Sequence, residues 1–250
     1  MKSRLFSACA ALVLFVVPCF GDDSQAVEPL RILVYGATGK VGTHVVDEAL
    51  ERGHVVTAVS RDPSRIQQQH DNLSAVVGDL LDSISIANLV IDQDVIIVSV
   101  RGIVAKPKIP ENAIQRIGVE KVVNVLRDFG DDAPRLIHVG GSGTLEVEPG
   151  VLYADKIPKL FLPKSLEVEI QGQVLALEYL RTVNDVSWSY ATPAKNFTNG
   201  KRTGTFRIGG DTVLEDSRGR SRISRRDFAV ALIDEAEDAD YVQQRFSVAY

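Results

Sequence analysis

Cysteine is almost absent from this chain. The 250 residues hold two, Cys9 and Cys19, both within the first twenty positions. The remainder has no thiol, and so no disulfide and no thiolate metal site. The four histidines, His44, His54, His70 and His138, follow no metal-ligand spacing, so no metal is expected. Positive charge is not in excess either: 28 Lys and Arg face 33 Asp and Glu, a net charge of −5. Nucleic acid is a poor partner for such a chain, because neutralisation of phosphates by Lys and Arg drives that binding. No low-complexity run and no internal repeat is present, which excludes fibrous and solenoid architectures.

One apolar run stands out, from Leu5 to Phe20, with Lys2 and Arg4 before it and Gly21-Asp22-Asp23 after it. It falls short of the roughly 20 apolar residues a membrane span needs. A basic start, an apolar stretch and a small residue before a polar segment describe a secretory signal peptide over residues 1–21, cleaved near Gly21. The alternative is an uncleaved N-terminal anchor. The expected mature protein is secreted or periplasmic, with no stable membrane span after cleavage. Residues 22–30 form a lead, and residues 31–250 a single domain.

Beyond the lead, β-rich runs and helical stripes alternate. Arg31 to Tyr35 reads as a strand, and Val41, Val45, Val46, Ala49 and Leu50 recur at helical spacing with Gly53 at the cap. Further strands are expected over His54–Ser60, Leu73–Val77, Asp94–Val100, Arg135–Val139 and Val186–Ala191. Helical stripes run from Ile114 to Phe129 and from Leu166 to Leu180. Such alternation predicts an α/β fold, a doubly wound parallel Rossmann sheet. The segment from Thr192 to Tyr250 reads as an irregular substrate-side extension. It holds one helix, Asp227–Ala236, introduced by a capping box of Ser224 and Asp227, and a last strand, Arg245–Tyr250.

The loop between the first strand and helix is Gly36-Ala37-Thr38-Gly39-Lys40-Val41-Gly42. Gly36 permits a tight turn, Gly39 a close approach of backbone to a pyrophosphate, and Gly42 close packing of helix on strand. Free N–H groups and the helix dipole then face the phosphates, with the Thr38 hydroxyl and the Lys40 charge beside them. After the second strand the chain reads Ser60-Arg61-Asp62-Pro63-Ser64-Arg65. A site for NAD(H) usually carries an acid here to bind the ribose 2′-hydroxyl. Arg61 instead suits a 2′-phosphate, with Ser60, Ser64 and Arg65 as further donors, so NADP(H) is favoured over NAD(H). The competing reading makes Arg61 and Arg65 solvated charges, and Asp62 before Pro63 suits a turn. Asp79 and Leu80 follow the third strand, where the carboxylate meets an adenine amino group or merely closes a turn. Val100, Arg101 and Gly102 follow the fourth strand, and Gly140, Gly141 and Ser142 the fifth. Pro193 falls beside the expected nicotinamide.

These segments resemble a known family. GATGKVG, SRDPSR, the pair Gly78-Asp79 and HVGGSG are similar to the NAD(P)H-binding atypical short-chain dehydrogenases. Trp188-Ser-Tyr-Ala-Thr-Pro-Ala, Gly200-Lys-Arg-Thr-Gly-Thr-Phe-Arg, Ile223-Ser-Arg-Arg-Asp-Phe-Ala-Val-Ala and Gln244-Arg-Phe-Ser-Val-Ala-Tyr look like its NADH-flavin reductase branch. The resemblance covers roughly residues 31–250. It implies a one-domain reductase of a flavin or quinone-like acceptor. The first half is also similar to flavin/biliverdin-IXβ reductase, whose NADP site uses an equivalent Arg-Asp-x-Ser-Arg run. A secretory signal departs from that mostly cytoplasmic family.

The usual catalyst of short-chain dehydrogenases, a tyrosine with lysine at the fourth position after it, is missing at all six tyrosines. Tyr153 and Lys156 are three apart, in what reads as a Pro-bounded loop. Without a proton donor for an alkoxide, hydride transfer suits acceptors that tolerate the charge themselves, so a flavin is a substrate to consider. Ser142 is the catalytic expectation, as a polar contact. His138 reads as a hydrogen-bonded core residue. Arg218, Arg220, Arg222, Arg225 and Arg226 form either a grip for an anionic substrate or a solvated face. Two other classes compete with the reductase: a non-catalytic NADP(H) sensor acting through a protein partner, and an epimerase or dehydratase. A small-molecule acceptor is the expected partner; oligomeric state is not legible.

Overall fold

The computed structural model describes residues 28–104, 106–158, 160 and 162–250. The expected signal peptide and most of the lead lie outside the described residues. β1 (Arg31–Tyr35), β2 (Val55–Ser60), β3 (Leu73–Val77), β4 (Val95–Val98), β5 (Arg135–Val139), β8 (Trp188–Pro193) and β12 (Gln244–Ala249) run parallel. With β10 (Arg207–Gly209) as an antiparallel edge they form one sheet, ordered β10-β12-β8-β5-β4-β1-β2-β3. β4 is Val-Ile-Ile-Val and every residue of it is buried. Continuous apolar strands of this kind belong to sheets covered on both faces.

The helices provide the cover. α1 (Gly42–Glu51) and α6 (Arg225–Asp238) pack on one face, and α2 (Ser83–Val90), α3 (Ile114–Arg127) and α5 (Lys164–Leu180) on the other. Each face has its own apolar core, one built around Val45, Val46, Phe228 and Leu232, the other around Val122, Leu126, Ala176 and Leu180. The fold is a Rossmann-like α/β domain with a mostly parallel central sheet, as the alternation of elements predicts.

Several elements differ from the sequence reading. The β2–β3 connection has no α-helix. Pro63–Arg65 makes one 3₁₀ turn, and the Gln68 amide then donates to Asp47 Oδ1 at 2.9 Å, laying the rest of the link along α1. α2 was not expected: only Ile86 and Val90 are buried, too few to give a helical stripe, and its start is set by the Asp82 carboxylate accepting from Ile84 N–H. β6 (Glu146–Glu148) and β7 (Val151–Leu152) form a small hairpin, and Tyr153–Lys156 is a short helix, α4, rather than a loop. The Asp155 carboxylate closes that helix by accepting from Leu152 N–H at 3.1 Å.

The C-terminal extension is more ordered than its composition suggests. β9 (Asn196–Thr198) pairs in parallel with β11 (Arg222–Ser224). Ser224 caps α6 by accepting from Asp227 N–H at 2.9 Å, but the capping box is not reciprocal. Asp227 instead accepts from Thr203 N–H and Oγ1, Gly204 N–H, Ser224 Oγ and Tyr250 Oη. One buried carboxylate thus ties the 200–204 loop and the chain end to the helix start. Between α1 and α6, Glu48 accepts from both Arg52 and Arg202. Burial works to raise its pKa, and these two guanidiniums outweigh burial and hold it low.

His138 lies in the core as expected, stacked 5.4 Å from Tyr190, but neither ring nitrogen has a partner among the described residues. Burial pushes its pKa down from 6.5 to about 4. Between those pH values the unfolded chain holds a proton that the folded chain refuses, so stability falls as pH drops through that window. The loss is on the order of 3 kcal/mol across the window. Chemical denaturation at pH 7 and pH 4 should therefore show a smaller acid loss for His138→Phe than for the wild type. An identical acid loss in both would remove His138 as its source.

Candidate functional site

β1 pairs with β2 on one side and with β4 on the other. Successive connections from β1 therefore leave in opposite directions. Ligands in open α/β sheets bind at such a point, beyond the carboxyl ends of the strands. The expected site residues line up there by strand: Asp79 after β3, Arg61 after β2, the glycine loop after β1, Val100 after β4, Gly140 after β5 and Pro193 at the end of β8.

The glycine loop is built by close contact. Gly36 has φ +82°, and a Cβ on it would lie 2.2 Å from the Ser99 carbonyl oxygen. Gly39 N–H donates to the Gly36 carbonyl at 2.8 Å, and a Cβ on Gly42 would stand 2.1 Å from that same oxygen. α1 has no side-chain cap and no acid in its first turn. The N–H groups of Thr38, Lys40 and Val41 meet no acceptor among the described residues. An uncapped helix start with spare donors is the arrangement that holds phosphate oxygens.

At the end of β2 the structure separates the polar residues. The Asp62 carboxylate accepts from Ser64 N–H at 3.3 Å and from Ser64 Oγ at 2.6 Å. Ser60 Oγ accepts from Asp62 N–H and donates to the Asp62 carbonyl. Both serine hydroxyls are thus spent on the turn, and so is the acid. Arg61 and Arg65 are exposed, and neither pairs with a carboxylate among the described residues.

Asp79 also closes a turn, with Oδ1 accepting from Leu81 N–H at 2.9 Å. The Leu80 side chain is buried against Gly118, so only its backbone faces the edge. Arg101 pairs with Glu169 at 2.9 Å. Gly102 follows with φ +135°, and Val100 lies against Gly36.

At the β5 end, Gly140 packs under the Tyr190 ring and Gly141 under the Gln173 amide. Tyr190 Oη donates to the Gln173 carbonyl at 3.0 Å. Burial holds the Tyr190 phenol well above its ordinary range. Ser142 opens a 3₁₀ turn, Ser142–Thr144, and its hydroxyl has no partner among the described residues. Arg245 of β12 anchors the turn by donating to the Thr144 carbonyl at 2.7 Å while paired to Asp211. Pro193 is buried within the β8 ladder opposite Val248.

Two groups escaped the sequence reading. Gln173 brings a half-buried amide, without a side-chain partner among the described residues, beside Gly141. It looked like one polar position within a helical stripe. Tyr153 and Lys195 also meet, with Nζ 5.4 Å from the ring centroid. That lysine is paired to Glu215 at 2.5 Å and contacts the ring, so the pair differs from a lysine serving a catalytic phenol. Lys156 goes elsewhere, to Glu148 at 3.1 Å.

Fold, switch point and glycine loop together define a dinucleotide-binding Rossmann protein. The chain belongs to the NAD(P)H-binding family, whose model matches residues 36–239. It is 30% identical over 224 residues to the uncharacterised protein YwnB of Bacillus subtilis, covering 88% of this chain and 98% of that one. Among solved structures it is similar to a candidate exported protein of Burkholderia pseudomallei. That match has 34% identity and a TM-score of 0.74, covering 88% of this chain and 100% of the other. It is also similar to a candidate NADH-flavin reductase of Streptococcus pneumoniae. There the identity is 25% and the TM-score 0.72, over 88% and 99% of the two chains. No helix among the described residues is long and apolar enough to cross a membrane.

The exposed guanidinium after β2 gives a direct test. Arg61→Ala should weaken NADPH by about 1–3 kcal/mol, the size of a charge-assisted hydrogen bond, and leave NADH nearly unchanged. Fluorescence titration of both nucleotides reads the difference. Equal losses would show that Arg61 does not select between them.

Proposed function

We propose that this protein is an NADPH-dependent reductase that delivers hydride to a flavin or quinone-like acceptor. The observation that carries the reading is the turn after β2. Its only acid, Asp62, is consumed by Ser64, while Arg61 and Arg65 stand exposed and unpaired among the described residues. A 2′-phosphate would be attracted to these two guanidiniums, with the Asp62 carboxylate held to Ser64 through Oδ1. The contacts of Ser60 and Ser64 narrow the earlier expectation, leaving the two guanidiniums as the donors.

When bound, the reduced nicotinamide supplies the hydride. The chain orients it: the loop donors of Thr38, Lys40 and Val41 hold phosphates, and the backbone of Gly140 and Gly141, packed under Tyr190 and Gln173, borders the ring at the β5 end. Asp79 Oδ2 and the backbone of Leu80, Val100, Arg101 and Gly102 border the adenosine side. Ser142 Oγ and the Gln173 amide then offer neutral hydrogen bonds to the acceptor. Neither is a general acid with a pKa near neutrality, of the kind that donates a proton as an alkoxide develops, whereas a flavin or quinone disperses the charge over its ring and takes its proton from water. The likeness to the Streptococcus pneumoniae protein supports this class of acceptor.

The purified protein, titrated with NADPH and assayed over a panel of flavins and quinones, should oxidise NADPH with at least one of them. Ser142→Ala should slow that turnover by about tenfold at most, the scale of one neutral hydrogen bond. Tight NADPH binding with no acceptor turned over would overturn the reductase reading in favour of a sensor.

We also infer that residues 1–21 direct export and are removed near Gly21, leaving the 31–250 domain behind a short lead. The basic and apolar pattern of those residues supports it, as does the likeness to the Burkholderia pseudomallei protein. Expression of the full chain in a bacterium with a periplasm should yield a product starting near Asp22 outside the cytoplasm. An intact Met1 species confined to the cytoplasm would sink this inference.

A further inference from the structure

α5 covers the turn after β5 at close range. Gly141 is packed under the Gln173 amide: a Cβ there would lie 2.2 Å from Oε1, 3.0 Å from Cδ and 3.1 Å from Nε2. One turn earlier on the helix, Ile170 packs on Gly143, where a Cβ would come within 2.7 Å of its Cγ2. Tyr190, fully buried in β8, fixes the helix at this point. It donates to the Gln173 carbonyl at 3.0 Å while its ring lies against Gly140. Next to Gln173, Gly172 is pressed onto Ala113, whose methyl would stand 2.2 Å from a Cβ. The Gln173 amide is thus held against the strand end that borders the expected nicotinamide.

The hydrogen bonds of this amide are unspent. Neither Oε1 nor Nε2 has a partner among the described residues, and the one bond to Tyr190 uses the backbone carbonyl. Gln68 and Gln243, by contrast, spend their amides on Asp47 and on the Val186 carbonyl. The Gln115 amide is also without partners but is sealed from solvent, whereas that of Gln173 is only half-buried. A primary amide offers an N–H donor and a carbonyl acceptor side by side, whichever way it is turned. Its complement is a group with the same pair, an N–H next to a C=O. The isoalloxazine ring has such an edge, N3–H between two carbonyls. The C4 carbonyl of that edge is bonded to the carbon that carries N5, the atom that accepts hydride. A quinone has carbonyls but no N–H, so it would leave Oε1 unpaired. Sites built around a hydrogen bond reject the analogue that lacks it, because a polar group of the site is then left without a partner.

We propose that Gln173 pairs with N3–H and an adjoining carbonyl of the acceptor, so that the protein selects an isoalloxazine with a free imide edge over a quinone. This rests on the reductase reading and narrows its substrate class. One hydride passes from NADPH to N5, giving NADP⁺ and the reduced flavin anion, which takes its proton from water. Gln173 recognises the ring and moves no proton.

The test follows NADPH oxidation by the whole mature chain with lumiflavin and with 3-methyllumiflavin, which differ only at N3. Wild type should favour lumiflavin by about tenfold or more in kcat/KM, the scale of a lost hydrogen bond with its partner left unpaired. Gln173→Leu should bring lumiflavin down to the level of the methylated compound. Where that variant does not fold, Gly141→Ala should have the same effect. Its backbone is extended, and the added methyl displaces the amide. Equal kcat/KM for the two flavins in wild type, a preference that survives the substitution, or a loss that falls on the KM for NADPH would each overturn the proposal. So would a higher kcat/KM for menadione than for lumiflavin. If nothing oxidises NADPH, the reductase reading fails, and quenching of flavin fluorescence by the NADP⁺-saturated protein decides this one. Tighter binding of lumiflavin than of its methyl derivative, lost in Gln173→Leu, keeps the recognition. Equal binding, or none, rejects it.

Discussion

The carbonyl oxygen of Gly36 occupies the space that a side chain on Gly42 would need, and it accepts the Gly39 amide at 2.8 Å. This contact sets how closely α1 approaches β1. A Cβ at Gly36 would strike Ser99, so the same turn is pressed against the end of β4. The start of α1 is thereby held over the switch point with its donors unspent. Every other site feature is placed relative to that edge: Arg61 to one side, Gly140 and Ser142 to the other.

A second set of contacts ties the extension to this frame. Asp227 draws the 200–204 loop and the Tyr250 hydroxyl to the start of α6. Glu48 links Arg202 of that loop to α1. Arg245 reaches from the last strand to Thr144 in the turn after β5. Buried charges of this kind cost desolvation and must be matched by several hydrogen bonds each. Here they are matched by groups far apart in sequence, so each pairing also fixes the position of a loop. The 200–204 loop and the chain end are held against the start of α6 in this way.

Much of the frame was legible beforehand, for a physical reason. Buried parallel strands must be continuously apolar, and amphipathic helices must repeat near 3.6 residues, so β1, β4, β5, α1, α3 and α5 announce themselves. Elements stabilised by polar contacts do not. α2 buries two apolar residues, α4 is closed by Asp155, and the β2–β3 link depends on Gln68 reaching α1. None of these leaves a periodic pattern. His138 was read correctly as core, but the absence of partners for its ring depends on neighbours no local window contains.

The site divides along the same line. Gly36, Gly39 and Gly42 depend on backbone geometry within seven residues, and the sequence by itself determined that a tight glycine turn from strand to helix would form there. It also determined, by having no tyrosine with lysine at the fourth following position, that the ordinary proton donor of short-chain dehydrogenases is missing. Which polar groups remain available was decided in part locally, where Ser60, Ser64 and Asp62 satisfy one another within one turn and leave Arg61 and Arg65 exposed. In the extension it was decided by tertiary structure. Of the cluster Arg218, Arg220, Arg222, Arg225 and Arg226, three are engaged by Asp216, Asn199 and two aromatic rings. A residue type states which hydrogen bonds it can make. Which of them are already made depends on groups brought together across the whole fold.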